Sequence, residues 1–219
     1  PSEFVWDSGC LTINLNEISN PHFDRVRGSV KIIPSSISNI EVALTADGAH
    51  IWRPFAPNAN IEVNIDKPGW TWTGSGYFDG NFGTRALEQD FSYWTWARLP
   101  ISEGSAAFYD ARLRNDTQLN VSLKFLTNGR IEHLDPPPLT RLSRSLWAVK
   151  RETRADHAYK PHQIKHMLDT PFYTRSAIKT SINGEESVGI HEALDLNRFS
   201  NPLLKPMLAL RVPRRFRWS

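Results

Sequence analysis

Short segments rich in β-branched and aromatic residues recur along the chain between clusters of turn-forming residues. Strands of this length, separated by turns at fairly regular spacing, are typical of antiparallel sandwiches and barrels. The segments lie at 29–33, 41–45, 60–65, 70–79, 93–99, 106–113, 120–126, 146–149, 173–181 and 186–194. We therefore expect an all-β, antiparallel fold.

The connections between these segments carry their own signals. Asn128-Gly129 and Asn183-Gly184 predict tight hairpins, because Asn-Gly pairs adopt the positive φ angles that two-residue turns need. A helix is expected at 160–168, with Pro161 in its first turn. The run DPPP at 135–138 predicts a stiff, extended connector. We expect residues 1–219 to form a single all-β unit that includes this connector.

The run WTWTGSGYFD at 70–79 is the most informative single stretch for function. Alternation along a strand puts Trp70 and Trp72 on one face, and Tyr77 and Asp79 side by side on the other. Glycines within the run let another group approach the backbone closely. A phenol beside a carboxylic acid is a plausible site for acid chemistry. The indole-rich run YWTWAR at 93–98 adds further apolar surface, suited to a hydrophobic substrate.

Composition narrows the class of protein. A hydrophobic content of 40% with eight Trp describes a folded chain. The single Cys10 cannot form an internal disulfide, which fits a reducing compartment and excludes a thiolate metal cluster. No apolar run reaches the ~20 residues that a membrane-spanning helix needs.

The net charge of +3 is unevenly distributed, because residues 205–219 contain five basic residues and no acidic ones. Basic residues mixed with Leu, Met, Phe and Trp are typical of a segment that lies on a membrane surface. A solvated tail, or a last strand that packs its apolar side on the core, is the preferred explanation of the same pattern. Nucleic acid is a weaker alternative, because no recognition motif accompanies the charge.

Several motifs, in order, resemble one family. They are GYFDGNFG at 76–83, FSYWTWAR at 91–98, YDAR at 109–112, LDTPFYTRS at 168–176, HEALD at 191–195 and VPRR at 212–215. The series is similar to the bacterial carotenoid 1,2-hydratases, also called hydroxyneurosporene synthases, and the resemblance covers nearly the whole chain from about Gly28. It implies a lyase that adds water across the terminal double bond of an acyclic carotenoid, such as lycopene or neurosporene, without a cofactor. The product is a tertiary alcohol.

The resemblance also implies site residues. The family's paired His and Trp match His50 and Trp52, and its paired Tyr and Asp match Tyr77 and Asp79. Protonation of an unactivated alkene needs an acid that still holds its proton at neutral pH, which is the role expected of Asp79. Trp52 and Tyr77 would stabilise the carbocation through their ring faces, and His50 would take the proton of the attacking water.

Other residues are given lesser roles. Trp70, Trp72, Trp94 and Trp96 are expected to bind the hydrophobic substrate. His191 and Glu192 are interpreted as structural, because adjacent strand residues face opposite ways. The loose set His157, His162 and His166 lacks a carboxylate to complete a metal site, so no metal and no organic cofactor are expected.

The resemblance implies a fold of two lipocalin-like β units, with this chain matching the C-terminal half of the family. We expect the N-terminal half to be supplied by a separate chain, to have been cleaved, or to be missing from a shortened relative. A cytoplasmic location, peripheral to the inner membrane, follows from the hydrophobic substrate. Two alternatives stay open: a pericyclase or cyclase acting on a polyene, and a lipocalin-like carrier that holds a carotenoid without reaction.

Overall fold

The computed structural model describes residues 1–19 and 23–209. The chain divides into two compact units. The first comprises Pro1–Phe82 with Leu126–Arg130, and the second comprises Gly83–Phe125 with Ile131–Ser219. The connector at 135–138 lies inside the second unit.

The described part of the first unit contains one antiparallel sheet. Its strands are β1 (Glu3–Asp7), β2 (Cys10–Ile18), β3 (Arg25–Pro34), β4 (Val42–Ala43), β5 (His50–Lys67) and β6 (Trp70–Gly83). They are ordered β1-β2-β3-β5-β4, and β6 also pairs with β5. The cross-strand row Trp6, Leu11, Ile32 and Ile61 runs over one face of the sheet. Leu11, Ile32 and Ile61 belong to the buried core cluster of this unit.

Strand β5 changes the face that it buries along its length. Between His50 and Ala56 the even-numbered residues are buried and the odd-numbered ones are partly exposed. From Ile61 to Ile65 the odd-numbered residues are buried instead. The switch falls in residues 56–59, which are all buried. Because strand side chains alternate, the two halves of β5 contribute to opposite sides of the sheet.

The second unit contains a larger antiparallel sheet. Its described strands are ordered β10-β9-β8-β7-β15-β14-β13, and β11 pairs separately with β12. Leu99, Phe108 and Ile178 lie at the centre of its apolar core. The strands are β7 (Phe91–Ile101), β8 (Gly104–Leu113), β9 (Gln118–Leu126), β10 (Ile131–His133), β11 (Leu139–Arg141), β12 (Glu152–Arg154), β13 (His162–Asp169), β14 (Tyr173–Ile182) and β15 (Glu185–Asp195).

Helices are few in the described chain. They are α1 (Leu87–Asp90), α2 (Leu196–Phe199) and a 3-10 turn at Lys205–Ala209. The expectation of an all-β, antiparallel fold is confirmed. None of these helices is long and apolar enough to cross a membrane, within the residues that the structure describes.

The predicted hairpins are present. Asn183 and Gly184, with φ angles of 53° and 81°, connect β14 to β15 in a two-residue turn. Asn128-Gly129 lies in the turn between β9 and β10, which spans 127–130 and is therefore longer than the expected two-residue turn. Gly129 has a φ angle of 88°, whereas Asn128 does not have a positive φ. Two local predictions were wrong: 160–168 forms strand β13 instead of a helix, and 146–149 forms turn and irregular structure. Pairing with β14 along almost the whole of β13 outweighs the weak helical signal.

Candidate active site

Three of the residues singled out by the sequence lie together in the first unit. The Trp52 indole N–H donates to Asp79 Oδ2 at 2.8 Å and lies 3.1 Å from the Tyr77 hydroxyl oxygen. The Tyr77 hydroxyl donates to the same Asp79 Oδ2 at 2.9 Å. Trp52 is fully buried, and Tyr77 and Asp79 are half-buried. We call these three side chains the acid cluster.

The alternation of β6 explains why the acid cluster forms. Tyr77 and Asp79 are two residues apart on one strand, so both side chains point to the same side of the sheet. Trp52, on strand β5, points to that side as well and contacts Asp79. Phe78, between them, faces the other side and stacks on Phe55 with ring centroids 5.7 Å apart.

Two glycines of β6 let side chains of β5 approach the β6 backbone closely. A Cβ atom on Gly76 would lie 1.8 Å from Ile61 Cγ1, and one on Gly80 would lie 2.9 Å from the Phe55 ring. The protein's own side chains occupy the space that the missing side chains leave. These two glycines therefore allow β6 to pack closely on β5.

His50 lies two residues before Trp52, on the same face of β5, and is only 2% exposed. Its backbone N–H donates to Thr45 Oγ1 at 3.3 Å, and its carbonyl accepts from the Leu44 N–H at 2.8 Å. The Thr45 side chain and the Leu44 backbone thus fix the backbone position of His50. His50 shares a strand face with Trp52, and the acid cluster itself consists of the other three residues.

The hydrogen bonds of the acid cluster limit where a proton can be held. Oδ2 of Asp79 already accepts from both the indole and the phenol. A protonated carboxyl with these partners would carry its hydrogen on Oδ1. The cluster can therefore present an acid whose second oxygen is held by two donors.

The four tryptophans expected to bind substrate are divided between the two units. Trp70 and Trp72 lie on β6 and are 54% and 50% exposed. Trp72 is seven residues from Asp79 along the strand, or about 23 Å at the usual rise of an extended chain. Trp94 and Trp96 belong to the second unit, where Trp96 is buried and Trp94 packs on Tyr109 at 5.7 Å.

An apolar pocket in the first unit escaped the sequence analysis. It has a volume of about 450 Å³ and is lined by aliphatic and aromatic side chains. Leu11, Ile32 and Phe78 form its floor, and Trp6 and Ile37 stand at its rim. The signal was present in the run EFVWD at 3–7, in which apolar and acidic residues partly alternate, but strand β1 was not recognised.

His191 occupies a polar position in the core of the second unit. Its Nε2 atom lies 2.8 Å from the carbonyl oxygen of Glu152 and 2.7 Å from Thr95 Oγ1. Complete burial lowers the pKa of His191 from 6.5 to about 4, with a smaller contribution from the charge of Arg151. These contacts tie β15 and β7 to β12, which supports the structural interpretation of this residue.

No arrangement suited to a metal ion emerges from the described residues. Within residues 1–19 and 23–209, no three His, Cys, Asp or Glu side chains come together as potential ligands.

The basic C-terminal stretch that suggested a membrane surface lies largely outside the described residues. The VPRR motif at 212–215 lies entirely outside them.

The fold and the acid cluster define an all-β protein with a half-buried carboxyl held by a phenol and an indole. The whole chain, residues 1–219, matches the family model described as carotenoid hydratase CrtC. The chain belongs to this family.

Named relatives agree with the family match. The acyclic carotenoid 1,2-hydratase of Cereibacter sphaeroides is 50% identical over 100% of this chain and 78% of its own length. The enzyme of the same name from Rhodobacter capsulatus is 47% identical over the same shares. A third, from Thiocapsa roseopersicina, is 38% identical over 98% of this chain, which spans about half of that relative's length.

Solved structures of low sequence identity share the fold. An AttH protein from Nitrosomonas europaea has a TM-score of 0.56 at 11% identity, covering 89% of this chain and 68% of its own. The structure of CghA with Sch210972 has a TM-score of 0.54 at 11% identity, covering 84% and 64%. At this identity the likeness concerns the fold alone.

Proposed function

We propose that this protein adds water across the terminal 1,2 double bond of an acyclic carotenoid to give a tertiary alcohol. The acid cluster carries the proposal, because it places a carboxyl group against the indole of Trp52 and the phenol of Tyr77. The relatives named acyclic carotenoid 1,2-hydratase support the substrate and the reaction.

Asp79 acts as the acid. Its carboxyl proton passes to the less substituted carbon of the terminal double bond, and the electron pair of that bond forms the new C–H bond. The neighbouring carbon becomes a tertiary cation. Water attacks this carbon and then loses a proton, which forms the alcohol. The carboxylate of Asp79 then regains a proton. Atoms and charge balance without any oxidant or reductant.

The other site residues stabilise the cation, position the carboxyl group and accept the proton of the attacking water. Tyr77 is half-buried, so its ring faces the cation most directly, while Trp52 positions the carboxyl through its N–H and adds its π electrons to the site. His50 receives the proton of the attacking water, directly or through a second water molecule.

The test is hydration of lycopene or neurosporene in detergent by the purified protein, followed as a mass gain of one water. We expect Asp79→Asn to lower turnover by ~10²-fold or more, because the amide keeps the shape but offers no acidic proton. The control is Asp66→Asn, since Asp66 is an exposed carboxylate on β5 of the same unit. Similar turnover in the two variants would exclude Asp79 as the acid.

The mechanism uses only protein groups and water. Activity should therefore survive treatment with EDTA. Loss of activity on EDTA treatment, followed by recovery when a divalent ion is added, would contradict a cofactor-independent reaction.

The two alternative functions, a carrier and a pericyclase, predict a different result in the hydration assay. Either protein would bind a polyene without adding water to it.

The same proposal includes the setting of the reaction. A carotenoid dissolves in the bilayer, so we place the protein in the cytoplasm, at the surface of the inner membrane, with the basic C-terminal segment as one contact. Trp70 and Trp72, half-exposed on β6, are candidates to contact the distant part of a long substrate.

A further inference from the structure

The apolar pocket of the first unit lies on the side of β6 that faces away from the acid. Phe78 forms part of its floor, and Tyr77 and Asp79, the residues on either side of Phe78, face the opposite way. A ligand in this pocket is therefore separated from Asp79 by the thickness of the sheet. The pocket requires an explanation other than the reacting double bond.

The chemistry of the lining restricts the ligand. The lining consists of aliphatic and aromatic side chains, and three of them remain well exposed: Phe4 at 71%, Trp6 at 54% and Ile37 at 49%. Apart from the indole N–H of Trp6, the lining side chains have no group that could orient a polar ligand. The volume of about 450 Å³ falls within the roughly 300–1,000 Å³ range usual for small-molecule sites.

We propose that this pocket is a second binding site, for the hydrocarbon chain of an acyclic isoprenoid. The class of ligand rests on the proposed function, since a protein that hydrates acyclic carotenoids meets such chains at high local concentration. The site holds a chain that is not being hydrated, because the sheet separates it from the acid cluster. Phe78 belongs to the same strand segment as the acid, so an occupied pocket also braces β6.

The probe is all-trans-farnesol, an acyclic isoprenoid alcohol, added to protein labelled with 5-fluorotryptophan. Fluorine NMR then reports each indole, and the Trp6 signal is assigned as the one lost in Trp6→Phe. We expect farnesol to shift the Trp6 signal in a saturable way. The Trp147 signal is the internal control, because Trp147 is 50% exposed, close to the exposure of Trp6, but does not line the pocket.

Two matched variants test the location. Ile37→Glu should weaken farnesol binding by roughly tenfold or more, because a carboxylate at the rim must lose water when the chain enters. Ile18→Glu should leave binding unchanged, since Ile18 is exposed in the same unit and is not part of the lining. Equal binding by the two variants, or equal shifts of Trp6 and Trp147, would overturn the proposal.

Further measurements separate this inference from other outcomes. Asp79→Asn should keep the full Trp6 response, and its loss would show that the pocket is not separate from the acid. A Trp6 signal that moves on dilution of the protein, without farnesol, would mean that a second copy covers the pocket and would refute the proposal. A retained Trp6 response in a protein that fails to hydrate carotenoids would contradict the proposed function alone.

Discussion

At the scale of single residues, the Oδ2 atom of Asp79 is the point where the site is assembled. Two donors from different strands meet on this one oxygen, the indole of Trp52 on β5 and the phenol of Tyr77 on β6. Each donor fixes the carboxyl against rotation. Removal of Trp52 therefore changes both the position of the acid and the aromatic surface around it.

Substitution of Trp52 can separate these two effects. Trp52→Phe and Trp52→Leu both lose the N–H donor, but only Phe keeps a π face toward a cation. We expect both to be slower than the wild type, with Phe roughly tenfold faster than Leu, since a desolvated cation–π contact is worth up to about 2 kcal/mol. Turnover numbers at saturating substrate are the measurement.

The half-exposed Trp147, which has no part in the proposed site, supplies the control for this comparison. Trp147→Phe and Trp147→Leu should have equal turnover numbers. If the two Trp52 variants are also equal to each other, the ring acts through packing and the contribution to cation stabilisation is refuted.

The sequence predicted these residues unequally. Tyr77 and Asp79 follow from alternation within one strand, so their pairing could be derived from local spacing alone. Trp52 is 25 residues away from Tyr77, and only the resemblance to the family brought it into the site. The apolar pocket was missed because it joins β1, β2, β3, β5 and β6 across the unit, and no local sequence pattern predicts such long-range contacts.

At the scale of elements, the close packing of β6 on β5 positions the acid cluster. Gly76 directly precedes Tyr77, and Ile61 on β5 fills the space where a side chain would be. Ile61 belongs to the apolar core on one side of β6, and the neighbouring Tyr77 and Asp79 face the other side. The contact between Gly76 and Ile61 therefore helps to position the acid cluster. A change in this packing should therefore lower the free energy of unfolding directly, and lower the turnover through the position of the acid cluster.

Gly76→Ala tests this packing. The new Cβ would lie 1.8 Å from Ile61 Cγ1, so the Ile61 side chain or one of the two strands must move. We expect a loss of about 1–3 kcal/mol in the free energy of unfolding, the usual cost of overpacking. Gly74→Ala is the matched control, because its Cβ would meet only the Trp72 ring at 3.4 Å.

A double variant identifies the partner in this contact. If Ile61 causes the clash, Gly76→Ala should cost less in an Ile61→Ala background than in the wild type. Equal costs in the two backgrounds, measured by urea unfolding, would place the strain elsewhere.

Local signals predicted strands better than helices for a physical reason. Tight turns such as Asn183-Gly184 depend on backbone preferences of the residues themselves, and the structure has the turn where the sequence placed it. The segment at 160–168 has no strong local preference, so the edge of β14 determines its conformation. Partners distant in sequence decide such segments.

At the scale of the whole molecule, the buried polar contacts of the second unit make stability depend on pH. His191 is neutral in the folded protein down to about pH 4, while an unfolded chain protonates it near pH 6.5. Between these values the unfolded state binds the additional proton. Stability should therefore fall as the pH falls from 6.5 to 4.

His191→Gln tests this dependence, because glutamine is neutral throughout the range and can still donate to the Glu152 carbonyl. The wild type should lose about 3 kcal/mol more than this variant between pH 7 and pH 4, from 1.36 kcal/mol for each pKa unit. Urea unfolding at a series of pH values measures the difference. His162→Gln, at an exposed position, should behave as the wild type, and parallel curves for all three proteins would contradict the assignment.

The change of buried face along β5 has a consequence for insertions and deletions. Removal of one residue within 56–59 would leave the core residues Ile61–Ile65 in place but turn the side chains before the deletion to the opposite side of the sheet. Trp52 would then point away from Asp79 in a chain that still buries its core. Loss of two residues would keep these side chains on their original side of the sheet, because side chains alternate with a period of two along a strand. Length variation in this short stretch can thus abolish the reaction while the sheet survives.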